Sequence, residues 1–259
     1  MQLSKRKRRQ LKKQGILDSD GLTRVPQKGM KLATIHPKTD NQQKTFTAYD
    51  EGKHLILHGS PGTGKTFLSL YLALYDLFEY KENTYEKIVV IRSAQPSKDI
   101  GFLPGKEADK MANYQAPYKA IVTELFGRGD AYEILRQKTL IEFQSTSFLR
   151  GTTIDDAIII LDEAQNLSYM ELKTVLTRVG ENSRIIICGD VLQDDLTSTR
   201  YNQQSGLVQA MNVFKDIPSM AHIEFDIDDI VRSGFVKEFI IAESNLYDRN
   251  LIVDIRAVA

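Results

Sequence analysis

His54-Leu55-Ile56-Leu57-His58-Gly59-Ser60-Pro61-Gly62-Thr63-Gly64-Lys65-Thr66-Phe67-Leu68-Ser69-Leu70-Tyr71-Leu72-Ala73-Leu74 decides how the rest of the chain is organised. Its middle, Gly59 to Thr66, fits G-x-x-x-x-G-K-[ST], set between an apolar run that reads as a strand and a longer one that reads as a helix. The residue types dictate the chemistry. Glycines let consecutive backbone N–H groups turn inward around a β-phosphate, and a side chain at Gly62 or Gly64 would block that approach. The helix N-terminus adds partial positive charge. Lys65 reaches the β- and γ-phosphate oxygens, and the Thr66 hydroxyl completes the coordination of Mg2+. Gly59, Ser60, Pro61, Gly62, Thr63, Gly64, Lys65 and Thr66 are therefore the candidate cradle for a nucleotide held with Mg2+.

From residue 52 onward, short apolar runs alternate with helical stretches. Strands are expected at His54–His58, Lys87–Ile91, Thr139–Phe143, Ala157–Asp162, Arg184–Cys188 and Ala221–Phe225; helices at Gly64–Tyr80, Met170–Val179, Ser205–Phe214 and Arg232–Ser244. Runs such as Ile158-Ile159-Ile160-Leu161 show no alternation, as befits parallel strands covered on both faces. The pattern is α/β: a doubly wound, mainly parallel sheet with helices on both faces. Residues 15–45, punctuated by Gly15, Gly21, Pro26, Gly29 and Pro37, read as an irregular arm leading into the domain. Residues 95–135, with Pro96, Gly101, Pro104, Gly105 and Pro117 ahead of a helical stretch, read as an insertion on the edge of the sheet.

The strand Ile158–Leu161 runs into Asp162-Glu163. The first carboxylate is placed to hold Mg2+ beside Thr66, directly or through water, and the second to polarise the attacking water, so Asp162 is the metal candidate and Glu163 the general base. Alone, two acids at a strand end read as solvated charges. With a phosphate loop present they imply hydrolysis, because the extra glutamate has no use in a passive nucleotide clamp. Gly189-Asp190-Val191-Leu192-Gln193 follows another strand; alone it is a turn, but the Gln193 amide can hydrogen-bond a γ-phosphate or the attacking water.

Composition narrows the classes. The chain has 259 residues, 42% hydrophobic and 26% charged, enough for one sizeable core. No apolar run approaches the length of a spanning helix, and the basic first residues lack a secretory pattern, so neither membrane insertion nor secretion is expected and a cytoplasmic protein is. Cys188, the one cysteine, sits in Ile185-Ile186-Ile187-Cys188 and reads as part of a core strand in a reducing compartment. His36, His54, His58 and His222 have no ligand spacing, and none is expected to bind metal. The zero net charge hides an asymmetry: seven basic and no acidic residues fall in 1–13, leaving a body with seven more acids than bases. Such an arm can contact phosphates, dock on an acidic neighbour, or simply be a solvated end.

Taken together, these residues resemble the PhoH-like family of ATPases, relatives of the superfamily 1 helicases. The resemblance is carried by the phosphate loop, Arg150-Gly151-Thr152-Thr153-Ile154-Asp155-Asp156-Ala157, Asp162-Glu163-Ala164-Gln165-Asn166, Gly101-Phe102-Leu103-Pro104-Gly105, Leu176-Thr177-Arg178-Val179-Gly180, Gly189–Gln193, Ser205-Gly206-Leu207 and Asp229-Ile230-Val231-Arg232. It implies a RecA-like P-loop NTPase domain over 37–243, between a basic arm and irregular lead-in (1–36) and a tail (244–259). It also implies ATP binding and hydrolysis with Mg2+, handling of RNA or single-stranded DNA, and assembly into rings of six. By the same resemblance, Gln42 in Pro37–Gln42 holds the adenine edge, and Arg92, Phe102 and Lys106 contact a single strand by charge and stacking. Plainer readings of these residues are a polar turn before a helix for Gln42 and packing of the insertion for Phe102. Arg232 matches the family's late catalytic arginine; it either folds back on its own nucleotide or reaches a neighbour's across a head-to-tail interface, unless it merely pairs with Asp228 or Asp229. Two departures stand out: Arg92-Ser93 replaces the Arg-Pro usual after the second strand, and no appended nuclease-type domain is expected, so the resemblance does not imply ribonuclease chemistry.

Three functional classes follow. The first is a nucleic-acid-stimulated ATPase motor, the second a regulatory ATPase switch without translocation, and the third a small-molecule kinase. Asp162-Glu163 with Gln193 is an arrangement for water as nucleophile, which disfavours the kinase.

Overall fold

Residues 30–79, 84–93, 107–146, 149, 151–190 and 206–248 are described by a computed structural model. In chain order the elements are α1 (Asp40–Asp50), β1 (His54–Gly59), α2 (Lys65–Phe78), β2 (Lys87–Arg92), α3 (Glu107–Phe126), α4 (Ala131–Gln137), β3 (Ile141–Ser145), β4 (Ala157–Leu161), α5 (Tyr169–Leu176), β5 (Arg184–Gly189), α6 (Leu207–Phe214), β6 (Met220–Phe225) and α7 (Gly234–Asp248). Single 3-10 turns occupy Ala164–Asn166 and Ile227–Asp229.

The apolar runs of β1, β2, β4 and β5 form strands buried on both sides, while β3 and β6, at the sheet edges, are only partly covered. All six pair in parallel, in the order β3-β2-β4-β5-β1-β6. Successive side chains point to opposite faces. Leu55, Leu57, Ile158, Ile160, Ile186 and Cys188 meet residues of α1 to α4 on one face, and Ile56, Ile159, Leu161, Ile185 and Ile187 meet α5 and α6 on the other. This is the doubly wound α/β arrangement expected. The chain leaves β1 for β2, three places along the sheet, and returns later to fill the gap with β4 and β5. The carboxyl ends of β1, β5 and β4 therefore lie side by side, where open α/β sheets bind ligands.

Three expectations need correction. Residues 15–45 are not irregular throughout: Met30 and Leu32 are buried in the core, and α1 begins at Asp40 with the Thr39 hydroxyl capping the Gln42 amide. The polar run Asp40–Lys44 has no helical apolar period; its helix is secured by that cap and by burial of Gln42, Thr45 and Tyr49. The region 95–135 is also not simply an edge insertion. From Glu107 it is the twenty-residue helix α3, which runs through Pro117. Tyr118, Val122 and Leu125, spaced to share one helical face, are buried in the core beside α2. Pro96, Gly101, Pro104 and Gly105 precede it, and 94–106 lie outside the described residues. The third strand starts at Ile141 rather than Thr139: α4 ends at Gln137, and Thr139 in the connection is left-handed at φ 56°.

Several residues that carried the family resemblance turn out to join elements. Ile154 bridges Val179, and backbone bonds run from Ile154 N to Arg178 O (2.8 Å) and from Gly180 N to Ile154 O (2.9 Å). Gly206 caps α6, and its N–H donates to Leu167 O at 2.8 Å. A Cβ on Gly206 would overlap the backbone of Tyr169 at the start of α5. Replacing Gly206 with Ala should force α5 and α6 apart and destabilise the fold by about 1–3 kcal/mol, read as a lowered urea midpoint at unchanged m-value.

Candidate functional site

The phosphate loop is shaped from both sides. Gly59 ends β1 at φ +107°, and a Cβ there would lie on the carbonyl oxygen of Phe225 in β6, which accepts from Ser60 N at 2.8 Å. Glycine at this position is thus needed for strand packing as well as for the turn. Gly62 is also left-handed, at φ +75°, and faces the Arg232 stem, whose Cγ would lie 2.9 Å from an added Cβ. Helix α2 starts at Lys65, so its N-terminal dipole points into the loop. The Lys65 ammonium donates to Gly59 O (2.8 Å) and Ser60 O (2.7 Å). Burial lowers its pKa below the usual lysine value. Desolvation of this kind makes an anionic phosphate a favourable partner.

Thr66 and Asp162 meet across 96 residues of sequence: the hydroxyl donates to Asp162 Oδ1 at 2.9 Å. The other oxygen, Oδ2, accepts from the Tyr118 hydroxyl at 2.9 Å. Asp162 is buried, and burial, reinforced by the neighbouring Glu163 charge, raises its pKa against the lowering by these hydrogen bonds. Glu163 follows in a left-handed conformation (φ 53°, ψ 44°), which turns the chain sharply at the end of β4. Its carboxylate is partly exposed; Oε2 accepts from Gln165 Nε2 at 2.6 Å, and Oε1 lies 3.9 Å from Arg92 Nη2. The Gln165 carbonyl in turn accepts from Asp190 N, at 3.1 Å, at the end of β5. One carboxylate is therefore held rigidly beside the hydroxyl of the loop, and the next one faces the cleft. That cleft measures about 480 Å³ and is lined by the loop, both carboxylates, Gln165, Asp190 and Arg232.

The other candidates divide. Gln42 is buried against the loop, donating to Thr63 O (3.1 Å) and accepting from Lys38 N (2.8 Å). Its amide keeps a second N–H and a second lone pair. Arg232 is brought over its own phosphate loop, with Val231 N donating to Gly62 O at 3.2 Å. Among the described residues it makes no ion pair with Asp228 or Asp229; Asp229 instead accepts from Asn41 Nδ2 at 2.7 Å. Arg92 points at Glu163 and lies over the Tyr114 ring, 5.8 Å from its centroid. Gln193, Phe102 and Lys106 lie outside the described residues. Cys188 is buried, bonded to Ser69 Oγ at 3.1 Å, and burial pushes its thiol up, away from nucleophilic use. Tyr118 and Lys38 were not singled out for roles in the sequence, and Gln165 was seen only within a motif. Tyr118 has no local signal at all, since what marks it is the fold of α3.

A six-stranded parallel sheet carrying this loop and these carboxylates at its carboxyl edge defines the P-loop NTPase class. Within that class, the family model described as PhoH-like protein matches residues 34–243, and the chain belongs to that family. It is 36% identical over 214 residues to a PhoH-like protein of Bacillus subtilis, covering 82% of this chain and 65% of that protein. It is 34% identical over 197 residues to Protein PhoH of Escherichia coli, covering 75% and 54%. The chain thus spans less than two thirds of the length of these relatives. Among solved structures, a large terminase from a thermophilic bacteriophage overlaps 79% of this chain and 50% of its own at 13% identity, with a TM-score of 0.45.

The raised pKa of Asp162 has a testable consequence. A carboxyl whose pKa is raised on folding contributes most stability below its unfolded pKa, and that contribution is lost as pH rises through the folded value. At neutral pH the buried charge is a net cost. Asp162→Asn removes that charge; its carbonyl still accepts from one hydroxyl while its NH2 can donate to the oxygen of the other, so it should raise the melting temperature of the ligand-free protein near pH 7 by about 2–4 °C. The gain should shrink on acidification towards the ordinary carboxylate range, as followed by calorimetry across pH.

Proposed function

We propose that this chain binds ATP with Mg2+ and hydrolyses it, and that RNA or single-stranded DNA stimulates the reaction as in a helicase-like motor. The observation that carries the first part is the Thr66–Asp162 hydrogen bond, which joins the phosphate loop to the acidic strand end in one cleft. A hydroxyl and a carboxylate are hard oxygen donors, few in number, as Mg2+ prefers when phosphates and waters supply its remaining ligands. When bound, the cation would neutralise charge on the β- and γ-phosphates. Lys65 would exchange its loop carbonyls for phosphate oxygens, and its N–H groups would stabilise the charge that grows there. Glu163, facing the cleft, would take the proton from the attacking water. Gln165, bonded to both Glu163 and Asp190 N, would keep that base aimed while linking it to the segment that leads to Gln193.

Nucleic-acid stimulation is supported by Arg92. Its guanidinium sits near the base, so a phosphate drawn to Arg92 would loosen its hold on Glu163. A regulatory switch without translocation would use the same site, and so would share these contacts. Ring assembly with a trans-acting Arg232 is favoured by the family resemblance, whereas the position of Arg232 against its own Gly62 favours action within one chain.

Phosphate release measured with and without RNA or single-stranded DNA separates the two classes: a motor is stimulated and a plain switch is not. In the same assay Glu163→Gln should bind ATP yet turn over at least about a hundredfold more slowly, and Lys65→Ala should lose binding. Normal turnover by Glu163→Gln would place the base elsewhere.

Mixing Arg232→Ala with Lys65→Ala chains tests the arginine. Activity that partly returns identifies a trans arginine in an assembly. Mixtures as inactive as their components, with assembly intact by light scattering, identify action in cis.

A further inference from the structure

The hydroxyl of Tyr118 is out of place in its surroundings. The residue is fully buried, its ring packs against Phe143 with centroids 5.8 Å apart, and phenylalanine would fill that volume as well. A buried phenol requires a hydrogen-bond partner, and here the partner is the metal candidate: the hydroxyl donates to Asp162 Oδ2 at 2.9 Å. The Arg92 guanidinium is electrostatically coupled to the same phenol. Arg92, in turn, lies over Tyr114, one turn earlier on α3, and 3.9 Å from Glu163.

The two oxygens of Asp162 are therefore held by different helices, Oδ1 by Thr66 of α2 and Oδ2 by Tyr118 of α3. A carboxylate held at one oxygen turns about its terminal torsion, whose wells are broad. Held at both, it has one plane, and that plane keeps Oδ1 turned toward Thr66. We propose that Tyr118 is a positioning residue that fixes the orientation of Asp162 for a divalent cation, and so makes helix α3 part of the metal site. The inference rests on the Mg-ATP reading above. It assigns to Tyr118 no contact with nucleotide or cation; it acts through Asp162. Partners of this kind, one step removed from the metal, typically alter metal affinity by about 10- to 100-fold when lost.

The test uses the full chain and a fluorescent ADP analogue, titrated with Mg2+ and, separately, in excess EDTA. Tyr118→Phe keeps the ring and removes the hydroxyl. It should bind the analogue in EDTA within about twofold of the native protein, while the Mg2+ concentration for half-maximal enhancement rises about tenfold or more. Phe143→Leu is the packing control: it loosens the Tyr118 ring but leaves the hydroxyl, and should lower the melting temperature with the Mg2+ midpoint unmoved. An unchanged midpoint in Tyr118→Phe, or an equal shift in Phe143→Leu, overturns the proposal. If the native protein binds the analogue with no dependence on Mg2+, the metal reading itself falls and takes this inference with it, an outcome visible before any variant is made.

Discussion

The insertion of β5 between β1 and β4 is the constraint on which the rest of the structure depends. Parallel pairing places the strand ends in register, with Leu57 beside Cys188 and Leu161 beside Ile187. That register sets the distance between the phosphate loop and the acidic strand end at one intervening strand, close enough for Thr66 to reach Asp162 directly. It also brings Asp190 N to Gln165, so the end of β5 is bonded to the side chain that holds Glu163. The apolar runs bury both faces of the sheet and supply the stability, and the hydrophobic effect has no directional preference of its own. Strand order gives it one.

Burial has opposite consequences at neighbouring positions of the site. It lowers the pKa of Lys65 and raises that of Asp162, in both cases disfavouring the charged form in a protein without ligand. Each charge is what the phosphates of a nucleotide and an accompanying cation would complement under the function proposed above. The protein thus holds polar groups whose electrostatics are incomplete on their own, a common condition of sites that bind charged ligands. Glu163 differs: it is partly exposed, no burial isolates it, and its geometry comes from a left-handed residue and a short bond to Gln165.

What was legible in the sequence follows from what each signal reports. The strands β1, β2, β4 and β5 were readable because runs such as Ile185-Ile186-Ile187-Cys188 are apolar at successive positions, which only doubly covered strands require. The loop and Asp162-Glu163 were readable because the chemistry demands particular residue types at fixed spacing. Helix α1 was missed because Asp40-Asn41-Gln42-Gln43-Lys44 carries no apolar period, its order coming from a cap and from packing elsewhere. Helix α3 was placed at the edge because prolines and glycines before it dominated the reading, and Pro117 inside it does not end it. Tyr118 was out of reach in principle, since a tyrosine 44 positions from its partner is identified by tertiary structure alone.

The hydrogen bond between Asn41 and Asp229 spans 188 positions and lies beside the phosphate loop, which also rests on Phe225 of β6 through Ser60. Contacts between residues so far apart form late, because the entropy of closing the intervening chain must first be overcome. On a ribosome the loop emerges early, yet the strand and turn that support it emerge some 160 residues later. A nascent chain would therefore carry the whole phosphate-binding motif without a finished place for a nucleotide. Retention of nucleotide would then mark the moment at which the last strand docks.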